Sequence, residues 1–76
     1  TDKREIDFAV LKNKKPLFAV ECKLKDDHLS PHIDYIKKRT KIPMFYQVHL
    51  QGKSRSISEE IKILNFSDFC NEVQLV

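Results

Sequence analysis

The sequence predicts an α/β domain, a mixed β-sheet flanked by helices with the element order β-β-α-β-β-α. Three features carry that expectation. Two apolar stretches flank Asn13-Lys14-Lys15-Pro16, as the arms of a hairpin do. Ser30-Pro31 is a helix start, with serine at the N-cap and proline at the first helical position. Met44 to Leu50 is nearly continuously apolar, the mark of a strand buried on both faces or central in its sheet. The strand–helix–strand step between Leu17 and Leu50 should therefore be a right-handed crossover joining parallel strands.

Each element has its own local reason. Ile6, Phe8, Val10 and Leu11 open the first strand, and asparagine at 13 tolerates the left-handed backbone of a turn, with Pro16 blocking ladder pairing beyond it. Leu17-Phe18-Ala19-Val20 resumes as a strand that continues through Leu24, and Lys25 to His28 is a polar loop. A helix follows from Pro31 to about Thr40. Asp34 in its first turn and Lys37 to Lys41 at its end suit the dipole, Ile33 and Ile36 form its apolar stripe, and Pro43 stops it. Gln51 to Ser58 reads as a polar, basic loop and Ile61 to Leu64 as a short strand. Ser67 is placed to cap a last helix, Asp68 to Val73, with Phe69, Cys70 and Val73 inward.

Seventy-six residues allow one small domain, 1–76, with a thin core. Hydrophobic residues at 41% are too many for a disordered tail. No apolar run approaches the roughly 18 residues of a membrane span, and the charged start is unlike a signal peptide. Two cysteines without CxxC spacing argue against a disulfide framework, so a cytoplasmic setting is expected. The net charge is only +3, but it is unevenly spread. Lys37, Lys38, Arg39, Lys41, Lys53 and Arg55 fall in an acid-free stretch, Tyr35 to Ser58, and are the candidate contacts to a nucleic-acid backbone. Lys37 to Lys41 also suits a helix C-terminus without any ligand.

Side chains alternate along a strand, which puts Asp7 on one face of the first strand and Glu21 and Lys23 together on one face of the second. If the hairpin register aligns them, two carboxylates and an amine converge. Carboxylates are hard oxygen ligands for Mg²⁺ (or Mn²⁺), which accepts few protein ligands and keeps waters for a phosphate substrate. A lysine there can orient the attacking water and stabilise charge on the phosphate. The same spelling also describes the solvated face of an amphipathic hairpin.

Asp7, thirteen residues, then Glu21-Cys22-Lys23 resembles the D…(D/E)xK signature of the PD-(D/E)xK nuclease superfamily. Glu5 to Val10 and Phe18 to Lys23 look like its paired strands, and the helix and the Met44–Leu50 strand match their continuation. The resemblance implies a restriction-endonuclease-like core lacking its first helix and strand, in a metal-dependent nuclease-like domain that hydrolyses DNA phosphodiester bonds. It makes Asp7, Glu21 and Lys23 the catalytic residues, with Asp7, Glu21 and the backbone carbonyl of Cys22 holding the metal. Arg4 to Phe8 and Val20 to Lys23 are also similar to the nuclease-like C-terminal domains of prokaryotic AAA-type ATPases, although the chain has no Walker motif. That similarity implies a C-terminal fragment of a longer protein, with an upstream ATPase module or a homodimer partner. It also offers an alternative function, a catalytically inactive interaction or regulatory domain.

Other residues read more plainly. Asp27, His28 and His32 lack the ligand number of a zinc site, and Pro31 interrupts the i, i+4 histidine pair. His49 is a lone histidine on the buried strand, and Gln47 shares its face and could lie beside the carboxylates. Cys22 and Cys70 read as small buried apolar residues, and Phe45, Tyr46, Phe66 and Phe69 as core.

Overall fold

The computed structural model describes residues 7–25 and 28–74. Five strands form one mixed sheet, β1 (Phe8–Lys12), β2 (Lys15–Lys25), β3 (Phe45–Gln51), β4 (Arg55–Ser58) and β5 (Ile61–Asn65), in the order β1-β2-β3-β5-β4. Helix α1 (Pro31–Lys37) joins β2 to β3, and α2 (Phe66–Val73) follows β5 directly. The strand–helix–strand step does join parallel neighbours, with Ala19 opposite Phe45 and Glu21 opposite Gln47. β3 and β5 are also parallel, whereas the outer pairs β1–β2 and β4–β5 are antiparallel.

The hairpin turns on Asn13 and Lys14 alone, at φ 54° and 66°, so that Lys12 faces Lys15. Two left-handed residues give the twist that matches the flanking strands. Asparagine accepts this backbone readily, but at Lys14 a Cβ costs roughly 1 kcal/mol. Pro16, expected to stop pairing, lies within β2 opposite Leu11, where the register shifts. Proline is tolerated there because β3 has not yet begun alongside, so the ring displaces no donor from the sheet interior. The single glycine, Gly52, takes φ 117° between β3 and β4.

Three element boundaries differ from expectation. The stretch expected as a loop, Gln51 to Ser58, contains β4. Only Ile57 in it is apolar and it is exposed, because an edge strand is fixed by backbone pairing to β5 and needs no buried face. Helix α1 ends at Lys37, short of Thr40. Ile36 is its last apolar anchor, and Thr40 Oγ1 then accepts from the Ile42 amide as the chain leaves the helix. Helix α2 begins at Phe66 and is capped by Asn65, whose side chain accepts from the Asp68 amide at 2.8 Å, so Ser67 is already inside the first turn.

Side-chain alternation gives the sheet two packed faces. On one, Val20, Tyr46, Val48 and Leu64 pack under Phe69 of α2, with Phe18, Met44 and Val73 at the margin. Phe18, Tyr46 and Phe69 meet edge to face at 5.2–6.2 Å. On the other face, Ala19, Phe45 and Ile61 pack under Ile33 of α1, joined by Leu29, Ile36 and Ile42. β3 is buried from Phe45 to His49, as a central strand should be. Phe66 departs from its expected core position, 54% exposed, because the first residue of α2 lies at the open end of the sheet.

One polar cluster ties α2 to the sheet. Glu72 Oε2 accepts from Lys62 Nζ at 2.8 Å and from the Tyr46 hydroxyl at 2.9 Å. The Lys62 bond foremost holds the Glu72 carboxyl below its ordinary value, and burial together with Glu72 pushes the Tyr46 phenol up to about 12. A lowered carboxyl pKa stabilises the fold above the ordinary carboxylate range, and the contribution disappears as pH falls through the lowered value. Glu72→Gln should therefore flatten the acid side of the stability–pH curve. At neutral pH it should cost about 1 kcal/mol at most, since Glu72 is partly solvated. Urea midpoints measured from pH 3 to 7 for both proteins check this.

Candidate functional site

The hairpin does align the acids. Asp7 lies in a bend one residue before β1, and its Oδ2 accepts a hydrogen bond from the Cys22 amide at 2.6 Å, which brings its carboxylate to the middle of β2, beside the residue after Glu21. Glu21 is 4% exposed, a carboxylate buried mid-strand opposite Gln47 on the α1 side. Lys23 Nζ lies 3.1 Å from Glu21 Oε2, and His32 Nδ1 from the first turn of α1 lies 3.7 Å from Oε1. Neither Glu21 oxygen accepts a hydrogen bond from a described residue. A carboxylate in this position is desolvated without full compensation, which is costly to the fold.

Two further residues shape the place. Gln47, fully buried on the strand beside Glu21, accepts the Ser30 amide at 2.7 Å and donates to the His28 carbonyl at 3.1 Å. It thus fixes the loop that delivers α1 and His32 over Glu21. His49, also fully buried and paired in register with Lys23, has Nε2 3.1 Å from the Lys53 carbonyl; a carbonyl only accepts, so Nε2 carries the hydrogen. Parity along β3 placed Gln47 near the acids, whereas His32 gave no such signal, since only the tertiary fold lays α1 across that face. Of the zinc candidates, Asp27 lies outside the described residues.

Cys22 is exposed, not buried as its size suggested. Alternation turns its side chain to the α2 side, near the first residue of that helix. There it lines a cavity of about 320 Å³ with Leu24, Val48, Leu50 and Phe66. Partial burial first, then the Asp7 and Glu21 carboxylates, raise its thiol pKa, so the sulfur stays protonated and is a poor nucleophile.

The basic candidates divide between two ends of the sheet. Lys53 follows β3 at the end where Glu21 and Lys23 lie, and Arg55 pairs with Ile63, which pairs with Gln47, in the same row of residues as Glu21. Lys37, Lys38, Arg39 and Lys41 lie at the opposite end. Lys37 bonds Glu60 at 2.8 Å, just before β5, and Lys38 pairs with Asp34 at 3.0 Å. The Arg39 guanidinium stacks 3.7 Å over the Tyr35 ring.

Asp7 and Glu21 suit a hard divalent cation. Asp7 accepts from the amide of the residue after Glu21, neither Glu21 oxygen accepts a hydrogen bond from a described residue, and carboxylate oxygen is the donor type Mg²⁺ takes while retaining water. Among the described residues no group of three or more His, Cys, Asp and Glu side chains is placed to hold a metal ion. No helix among those residues is long and apolar enough to cross a membrane. No protein-family model, curated protein or solved structure matches the chain.

Proposed function

We propose that the chain is a metal-dependent nuclease-like domain, with the strand pairing of the restriction-endonuclease-like core, that hydrolyses phosphodiester bonds in DNA. The observation that supports it best is Glu21, a buried carboxylate whose oxygens accept no hydrogen bond from a described residue, with Asp7 bonded to the next residue and Lys23 3.1 Å away. Asp7, Glu21 and the Cys22 carbonyl would hold Mg²⁺ or Mn²⁺, which when bound lowers the pKa of water and offsets charge on the phosphate. Lys23, on Glu21 in the described state, would orient the attacking water and stabilise the developing negative charge. Lys53 and Arg55, which share the Glu21 side of the sheet, would hold the strand being cut.

A second reading is an interaction or regulatory module that does not cut, carried by a larger ATPase. It is favoured by the four basic residues at the far end of the sheet, three of which engage their own chain.

Calorimetric titration of Mg²⁺ and Mn²⁺ separates these readings, joined to cleavage of supercoiled plasmid. The nuclease reading expects binding that Asp7→Ala removes, and cleavage that Lys23→Ala abolishes, at melting temperatures close to the parent's. Metal binding without cleavage would favour the second reading. Absence of binding, or equal loss of fold in both variants, would defeat the catalytic assignment.

A further inference from the structure

The hairpin tip carries lysine on three of its four positions, Lys12, Lys14 and Lys15, around a two-residue turn. Asparagine followed by glycine is the favoured pair for such a turn, and here the second position holds lysine at φ 66°. A strained position that carries a charge invites a functional explanation. Lys41, on the segment leading into the parallel neighbour β3, is exposed at the same end of the sheet. None of these four lysines has an ion-pair partner among the described residues. The nearby carboxylates Asp34 and Glu60 are engaged by Lys38 and Lys37.

We infer that this end of the sheet is a second anion-binding surface, one that holds the phosphate backbone of nucleic acid away from the carboxylates. Glu21 lies six residue steps along β2 from Lys15, about 20 Å at the rise of a strand. That length matches about six base pairs of duplex, so one DNA segment lying along the strands reaches both ends. Charge complementarity with a regularly spaced polyanion is the argument for this partner. Four ammonium groups on exposed residues fit phosphates, and the exposed Leu11 and Leu17 lie among them. The proposal goes beyond the nuclease reading and stands without it, because contact at the tip needs no metal.

The test is fluorescence anisotropy with a labelled duplex of about 20 base pairs, roughly twice the 33 Å length of the protein, in EDTA across a salt series. Four phosphate contacts give a log–log salt slope of about −3.6. Lys14→Gly should make the slope shallower by about 0.9 and weaken binding about eightfold at 0.1 M salt. It should also raise the melting temperature by a few degrees, because glycine relieves the turn, so lost binding cannot be blamed on lost fold. Lys53→Gln/Arg55→Gln provides the comparison. If that pair alone carries the binding and Lys14→Gly leaves the slope unchanged, the proposal is wrong. Binding to vesicles of anionic lipid in preference to the duplex would overturn it equally. Because EDTA removes metal, a failed nuclease assignment leaves this result untouched, and the converse also holds.

Discussion

Glu21→Gln is expected to raise the melting temperature of the metal-free protein by roughly 4–8 °C and to abolish its affinity for Mg²⁺. The two effects have one origin. Glu21 is 4% exposed, its oxygens accept no hydrogen bond from a described residue, and its ion-pair partner Lys23 is more than a third exposed. The desolvation of a buried carboxylate is of the order of several kcal/mol, and a single half-solvated ammonium offsets only part of it. A neutral amide of the same shape removes most of that penalty. Lys23, left without its partner, can extend into water at little cost. About 1 kcal/mol of net gain corresponds to the shift stated, for a domain of this size. Differential scanning calorimetry with and without Mg²⁺ measures both halves. A fall in melting temperature would show that Glu21 serves as a structural ion-pair partner of Lys23 and His32, and the metal assignment would lose its main support.

Phe45→Ala should have the largest effect on folding. Phe45 is fully buried at the start of the central strand, packed with Ala19, Ile33 and Ile61 under α1. Truncating a buried phenylalanine costs about 3–5 kcal/mol, as lost transfer free energy plus the cavity left behind. A domain of 76 residues has a total of about 4–11 kcal/mol to lose. The variant should therefore be largely or marginally unfolded at 37 °C, with a urea midpoint far below the parent's. Phe66→Ala is the matched control. Its ring is more than half exposed, so its change should stay within about 0.5 kcal/mol. Comparable losses in the two variants would contradict the two-faced core described above.

The contrast between these phenylalanines shows what could be read from the sequence. Both sit in apolar runs, and composition treats them alike. Phe45 was legible as core because the run from Met44 to Leu50 has no polar break long enough to turn a face to water. Phe66 was not, because its exposure depends on where a helix starts after a strand that ends without a loop. Asn65 and Ser67 are both good caps, and local chemistry alone does not choose between them. β4 was hidden for a related reason: an edge strand is defined by its partner's backbone and leaves little trace in hydrophobic periodicity. Among the candidate site residues, Asp7, Glu21 and Lys23 could be grouped from alternation and the hairpin alone. The distance of Lys37 to Lys41 from them could not, since it follows from the direction in which α1 crosses the sheet.

The strand order has a consequence for how the chain reaches this state. Both rims of the sheet, β1–β2 and β4–β5, are hairpins that close over a few residues. The two interior seams are remote in sequence: Ala19 must find Phe45, and Phe45 must find Ile61. Loop-closure entropy is lost before such pairings are rewarded, so the interior is the slow part of assembly. Glu21 and Gln47 face each other across the first of those seams. A chain arrested with only its rims formed would hold Asp7 near Glu21 and yet lack the wall of β3, Gln47 and His32 that shuts water away from the carboxylate. The desolvated acid is thus a product of the last closure, and its appearance would mark completion of the fold.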